Sequence, residues 1–322
     1  MRNKILLACL LFAFGWTAPP DPPEATISNK MVTAKLYLPD ATNGYYQATR
    51  FDWAGLVADL EYNGHRFFEK WFDKYSPKIH DAVIGPVESF RPLGYDEAET
   101  GGRFIVIGVG ALRKPADVGK EYNSFRLYDI IDGGKWTVKK KKDRVVFQQV
   151  LKDPTGYAYV YTKTLKLVKG KPLLVLEHSL KNTGSKKIET LVYNHNFPVI
   201  DGEPSGPGMK VIFPFEVKGE GKGFGTIAET RGNEILFTRN IQKNESVFSE
   251  GLEGFDNSPA GYDFKIENQK TGAGMHVTGD TPLEKLVFWA SSTTICPEPY
   301  IRIAAAPGKE VTWNINYEFY TK

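Results

Sequence analysis

The feature that most constrains this chain is a period of two in its apolar residues, sustained from the middle of the sequence to its end. In the last stretch Trp313, Ile315, Tyr317 and Phe319 alternate with Thr312, Asn314, Asn316 and Glu318. Successive side chains of a strand point to opposite faces, so such a segment buries one face and wets the other. Residues 104–107, 157–167, 173–180, 188–193 and 210–215 are likewise rich in β-branched and aromatic types. Turn formers such as Asn182-Thr183-Gly184 and Lys270-Thr271-Gly272 separate them. No segment carries a long helical period; residues 68–75 are expected to make at most a turn or two of helix. Strands in this number, without a repeat length, predict an all-β chain: a large antiparallel β-sandwich with few short helices. No shift in composition marks a domain boundary, so residues 31–322 are expected to form one domain.

The first 18 residues read as a secretory signal. Arg2 and Lys4 precede an apolar stretch over 5–16, and Gly15 and Ala18 offer cleavage positions. The stretch is shorter than the about 20 apolar residues a membrane span needs. A lipid-attachment reading of Leu6-Leu7-Ala8-Cys9 leaves only Ile5 to Ala8 ahead of the cysteine, so cleavage near Ala18 fits better. Residues 19–30, rich in proline, are expected to be a disordered leader. The protein is therefore expected to be exported, periplasmic or secreted, and free of the membrane after cleavage. Its remaining cysteine, Cys296, has no partner for an intramolecular disulfide, so the core alone must hold the fold. Of 41 basic residues the signal removes Arg2 and Lys4, leaving 39 against 38 acidic ones. That balance argues against a nucleic-acid partner, which would call for a basic patch. The lysines at 139–142, between strand-like 136–138 and 145–147, read as a solvated hairpin turn rather than a polyanion site.

One strand end stands out chemically. His195 closes an apolar segment and is flanked by Asn194 and Asn196. Asparagine amides can fix an imidazole's orientation and tautomer, which a general acid needs. A histidine that only satisfies buried backbone groups is an equal reading of the residues alone.

The segment ETLVYNHNFPVID, residues 189–201, resembles the histidine strand of the galactose mutarotase-like (aldose 1-epimerase) superfamily. Three further pieces follow the family's order: GLVADLEYNGHRFF at 55–68, GYDFKIENQKTGAGMHVTGDTPLEKLVFWA at 261–290, and TTICPEPYIRIAAAPGKEVTWNINYEF at 293–319. The resemblance is collinear over 56–319 and points to a divergent, exported bacterial member. It implies a sugar ligand, no cofactor, and the opening and reclosing of a cyclic hemiacetal by an acid and a base. By resemblance His195 protonates the ring oxygen, and Glu298, between Pro297 and Pro299, takes the proton of the anomeric hydroxyl. Without the resemblance Glu298 reads as an exposed turn residue. The same comparison makes Asp263 a hydroxyl-binding candidate, with Asp256 its rival. Asn194, Arg302, Trp289 and Tyr300 are candidates to line the pocket, since sugars stack on aromatic rings and bridge charged groups.

The chain departs from the family's pattern in two places, the segment ATNGYYQATRFDWAG at 41–55, which has no clear match, and the stretch where a second histidine is expected. Active mutarotases usually carry a second histidine in the first half of the chain, and the matching stretch here, GGRFIVIGVGALRKPADVG, has none. Arg113 and Lys114 stand there instead, candidates to meet a carboxylate or phosphate or simply loop residues. His80 fits the pattern poorly, His65 is expected in a hairpin turn, and His178 and His276 have no family counterpart. Tyr45, Tyr46, Arg50, Asp52 and Trp53 form an aromatic and charged cluster, expected either to line one end of the cleft or to strap the sandwich. Three functions stay open on this evidence: an aldose 1-epimerase-like isomerase, a carbohydrate-binding protein without turnover, and a lyase or epimerase acting on a uronic-acid sugar.

Overall fold

The computed structural model describes residues 21–117 and 121–322; the expected secretory signal lies outside them. The chain opens with β1 (Glu24–Ser28), β2 (Val32–Tyr37), β3 (Leu56–Tyr62) and β4 (His65–Phe68). There follow β5 (Val87–Phe90), β6 (Arg103–Val106), β7 (Gly110–Arg113), β8 (Ile130–Asp132) and β9 (Lys135–Lys140). The long central strands are β10 (Arg144–Lys152), β11 (Ala158–Leu167), β12 (Leu173–Asn182) and β13 (Ile188–His195). Next come β14 (Met209–Ile212), β15 (Ala228–Arg231), β16 (Glu234–Phe237) and β17 (Val247–Ser249). The last are β18 (Asp263–Asn268), β19 (Ala273–Gly279), β20 (Lys285–Ala290), β21 (Ile295–Ala305) and β22 (Glu310–Thr321).

Two antiparallel sheets organise the molecule. A ten-stranded sheet runs β15-β16-β14-β18-β19-β22-β12-β11-β10-β9, and a five-stranded sheet runs β17-β20-β21-β13-β5. β22 lies centrally in the larger sheet with the expected alternation: Trp313, Ile315, Tyr317 and Phe319 are buried, while Asn314, Asn316 and Glu318 face outward. Its inward residues share one core with Val192, Leu286, Phe288, Ile301 and Ile303 of the five-stranded sheet. Each such side chain, fully removed from water, contributes about 1.5–3 kcal/mol before entropy is counted. The chain crosses between the two sheets at β12–β13. There Asn182 donates to the carbonyls of Lys186 and Ala305, both at 2.8 Å, and accepts from Gly184 N at 2.9 Å. The lysines at 139–142 sit on the exposed β9–β10 hairpin.

Two expectations are corrected. The leader assigned to 19–30 is ordered from Glu24: β1 pairs with β2 over its whole length and buries Ala25 and Ile27. Asn29 makes the turn, its Oδ1 accepting from Val32 N at 2.8 Å and Met31 N at 3.0 Å. Two inward apolar residues are enough when a partner strand is close, and the neighbouring prolines masked that signal. Residues 69–75 form no helix; Trp71 and Phe72 instead spend their rings on packing, edge to face at 5.5 Å.

Between the sheets lies a buried charged cluster. Lys163 of β11 bonds Glu88 of β5 and lies 3.6 Å from Asp52. His178 Nε2 meets Glu88 at 2.9 Å, and Tyr161 donates to Asp52 at 2.9 Å. Asp52 belongs to the aromatic and charged cluster noted in the sequence, whose Tyr45, Tyr46 and Trp53 are buried in a hydrophobic cluster. Its carboxylate plugs into the core, while Arg50, two residues earlier, faces the cavity described next. Gly108 is required beside it: its φ is +80° and a Cβ there would lie 2.5 Å from Asp52 Oδ1.

Candidate active site

Period two also builds the site. On the outer face of the five-stranded sheet, alternate residues of four strands point the same way: Ser89 of β5, Tyr193 and His195 of β13, Glu298 and Tyr300 of β21, Lys285, Val287 and Trp289 of β20. They floor a cavity of about 290 Å³, just under the range usual for small-ligand sites. Loops carrying Arg50, Trp71, Asp81, Tyr122 and Phe125 wall it in. Glu298 is therefore not an exposed turn residue but a buried mid-strand one.

The two prolines beside Glu298 sit inside a central strand, where a missing N–H normally costs a ladder bond. Here the β13–β21 ladder ends at Tyr193 opposite Tyr300, just before Pro299 and Pro297. The side-chain amide of Asn196 replaces the lost pairing by donating to Pro297 O at 2.8 Å. The strands part at that point, and His195 and Glu298 meet across the gap, Nε2 to Oε1 at 3.2 Å. Their side chains are only 4% and 8% exposed, so solvent does little to screen either.

His195 is oriented by packing rather than by its asparagines. Phe197 takes a left-handed backbone, φ +45°, uncommon for a bulky residue and a form of strain that clusters at functional sites. That turn lays its ring parallel to the imidazole, centroids 3.6 Å apart, and Trp71 also stacks on the Phe197 ring at 4.8 Å. Trp289 meets the imidazole edge to face at 5.6 Å. The His195 Nδ1 atom is buried without a hydrogen-bond partner.

Electrostatics follow from burial. Desolvation, helped by the Arg50 charge, holds the His195 pKa well below its ordinary value. Desolvation raises Glu298 to about 8, against the opposing pull of Arg50. Near neutral pH the pair is a neutral imidazole facing a carboxylic acid, with one exchangeable proton between them. Arg50 stays cationic: Tyr193 and Asp81 beside it outweigh burial and raise its pKa. Its Nε and Nη2 donate to Tyr193 Oη at 3.2 and 2.9 Å, and Nη1 bonds Asp81. Its guanidinium also lies 4.6 Å from the Phe51 ring and 4.4 Å from that of Phe125.

Of the residues singled out in the sequence, the structure brings together His195, Glu298, Trp289 and Tyr300. Six others lie elsewhere. Asn194 points to the opposite face of β13, where its amide bonds Tyr317 and Asn196, the latter at 3.0 Å. Asp263 pairs with His276 at 2.8 Å on the ten-stranded sheet, and its rival Asp256 caps its own loop through Ser258. Arg302 is exposed and forks onto Glu284 at 2.9 and 3.1 Å. Arg113 is exposed at the end of β7 and donates to Gly101 O at 3.3 Å, while Lys114 reaches Tyr95 O at 2.8 Å. The reason is parity for Asn194 and sheet membership for Asp263. Arg50 arrives from the cluster at 45–53 that was expected either to line the cleft or to strap the sandwich, whereas Tyr193 and Asp81 were missed as site residues; Tyr193 was legible as the i−2 neighbour of His195 on one strand face.

No protein-family model matches the sequence, and no curated protein matches it. Solved structures do. A protein of Synechocystis sp. PCC 6803 is 13% identical, with all of both chains covered and a TM-score of 0.58. A galactose mutarotase related enzyme from Lactobacillus acidophilus is 12% identical over 93% of this chain and 98% of its own, TM-score 0.56. A putative aldose 1-epimerase from Escherichia coli K12 is 14% identical over 93% and 99%, TM-score 0.53. Whole-chain coverage at such identities reflects shared architecture, and fold alone does not fix chemistry. This chain has the galactose mutarotase-like fold, carried by a sequence far diverged from the solved structures it resembles.

Proposed function

We propose that this protein is an aldose 1-epimerase-like enzyme that interconverts the anomers of a small sugar by acid–base ring opening and closing. The observation that carries the reading is the contact of His195 with Glu298 on the floor of an aromatic-walled cavity, their pKa values displaced in opposite directions. Strongly perturbed titratable groups in a cleft mark acid–base sites. Trp71, Trp289, Tyr300 and the exposed ring of Phe125 offer stacking faces for a sugar.

No sugar ring fits between His195 and Glu298, so a ligand sandwiched by them is ruled out in this conformation. Mutarotation does not need that arrangement. The anomeric hydroxyl and the ring oxygen hang from one carbon, so an acid and a base in mutual contact can address both from one side. Burial leaves the proton on the carboxyl. In opening, Glu298 therefore gives its proton to the ring oxygen while His195 Nε2 takes that of the anomeric hydroxyl. The C–O ring bond breaks and the carbonyl forms. After rotation about the adjacent carbon bond the proton transfers reverse and the ring closes on the other face. This inverts the roles that the family resemblance assigns to the two residues.

Polarimetry of freshly dissolved α-D-glucose, α-D-galactose and α-D-galacturonic acid tests the reading. Wild type should accelerate the decay of rotation for at least one sugar, and His195→Ala and Glu298→Ala should each reduce that acceleration at least about 100-fold. No acceleration over buffer for any of the three would end the proposal. Binding without turnover, seen as quenching of Trp fluorescence at constant decay of rotation, would establish the carbohydrate-binding alternative.

A further inference from the structure

The strands that deliver His195 and Glu298 deliver a second pair one step along. Tyr193 and Tyr300 are register partners on β13 and β21, stacked at 4.6 Å with planes 18° apart. Tyr193 lines the same cavity as His195, ring centroids 6.2 Å apart. Its hydroxyl accepts two N–H donors from one guanidinium, that of Arg50. A phenol oxygen has two acceptor positions and one proton. With both acceptor positions occupied, the oxygen can engage a further partner only by donating. Arg50 in turn is fixed by Asp81 and by contact with Phe51 and Phe125, an elaborate setting for a side chain that is 9% exposed unless its charge is used.

We propose that Tyr193 is a further substrate-contacting residue of this site, whose hydroxyl donates to the sugar oxygen that becomes anionic as the ring bond breaks, with Arg50 as its positioning residue. The inference rests on the anomer-interconverting reading. As the C–O bond lengthens, negative charge grows on the ring oxygen before the proton from Glu298 is fully transferred. A preset donor in a site with little water is worth most at that moment. Tyr193 neither gains nor loses a proton overall: its O–H bond lengthens toward the developing charge, the two Arg50 N–H groups stabilise the charge shared onto the phenol oxygen, and Glu298 still supplies the proton that stays on the sugar. A fixed donor strengthened only in the transition state lowers the barrier without tightening ground-state binding.

The test is a double-mutant cycle on Tyr193→Phe and Arg50→Gln, read by polarimetry on whichever of the three sugars wild type accelerates. Tyr193→Phe removes one oxygen and keeps the ring that stacks on Tyr300; retained near-ultraviolet circular dichroism certifies the fold. The expected result is a fall in kcat of about 10- to 1,000-fold with KM changed less than about threefold. Arg50→Gln should also lower kcat, and the double variant should be no slower than the worse single one, because Arg50 acts through the hydroxyl. Arg50→Lys should recover only part of the rate, since one ammonium cannot supply the same two-pronged contact. A Tyr193→Phe enzyme within twofold of wild type in kcat overturns the role of Tyr193. Losses that multiply in the double variant overturn the assignment of Arg50. If wild type accelerates no sugar, the reading beneath the inference fails first, and the inference falls with it.

Discussion

Replacing Glu298 by glutamine separates the acid–base role proposed for this carboxyl from what its burial costs the fold. In the folded protein its pKa is about 8 rather than the ordinary 4.5, because burial penalises the anion. A raised folded-state pKa contributes stability that is fully present below pH 4.5 and is lost as pH rises through 8. The three-and-a-half pH units between those values, at about 1.4 kcal/mol each, set a ceiling of about 5 kcal/mol. Glutamine keeps the shape and hydrogen-bonding reach but cannot ionise. The stability of wild type relative to Glu298→Gln should therefore fall by a few kcal/mol between pH 5 and pH 9. Urea unfolding of both proteins at pH 5, 6, 7, 8 and 9 measures this directly, since the other titrating groups are common to both and largely cancel. Parallel stability–pH curves, differing by less than about 0.5 kcal/mol across the range, would refute the claim that a desolvated carboxyl sits on the cavity floor. On the proposed function, the same variant should show no acceleration of mutarotation at any pH.

Three further outcomes are expected. Lys163→Met should cost about 3–5 kcal/mol in urea unfolding, because Glu88 and Asp52 lose the cation buried with them; a loss below about 1 kcal/mol would show that the cluster relaxes or neutralises itself. Gly108→Ala should destabilise by at least about 2 kcal/mol, combining a positive φ with a Cβ driven into Asp52, and a melting temperature equal to wild type would contradict the close approach. Arg302→Ala, which removes an exposed fork onto Glu284, should leave turnover within about twofold and stability within about 1 kcal/mol; a large loss of turnover by polarimetry would return Arg302 to the site.

A desolvated acid, a neutral imidazole and a strained Phe197 all cost stability, and the large apolar core between the two sheets offsets them. Proteins commonly hold such strain where chemistry needs it. The buried Lys163–Glu88–His178–Asp52 cluster lies on the reverse side of β5 from Ser89, so the strand joins the core's charges to the cavity floor by one peptide step.

The all-β class was legible because alternation is a local property: Trp313, Ile315, Tyr317 and Phe319 declare their shared face whatever they pack against. His195 and Glu298 were legible through the family's strand motifs, and Tyr193 follows from His195 by parity. β1 was not legible, because two apolar residues among prolines are below what a pattern can show, and only the neighbouring β2 makes them a strand. Arg113, Arg302, Asp263 and Asn194 were misplaced for a related reason. Order along the chain says that residues lie near a cavity, but not which face of a strand carries them or which sheet takes the strand.

The sequence by itself determined the period, the strand-forming segments and the histidine and glutamate types that an acid–base site requires. Only the tertiary structure decided that Pro297 and Pro299 end the ladder where His195 and Glu298 can touch. It likewise decided that Arg50, more than 140 residues from Tyr193 in sequence, arrives from a loop to hold the Tyr193 hydroxyl. The physical reason is range: side-chain alternation is set by neighbouring peptide units, whereas desolvation and hydrogen bonding depend on every group that folding brings within a few ångströms.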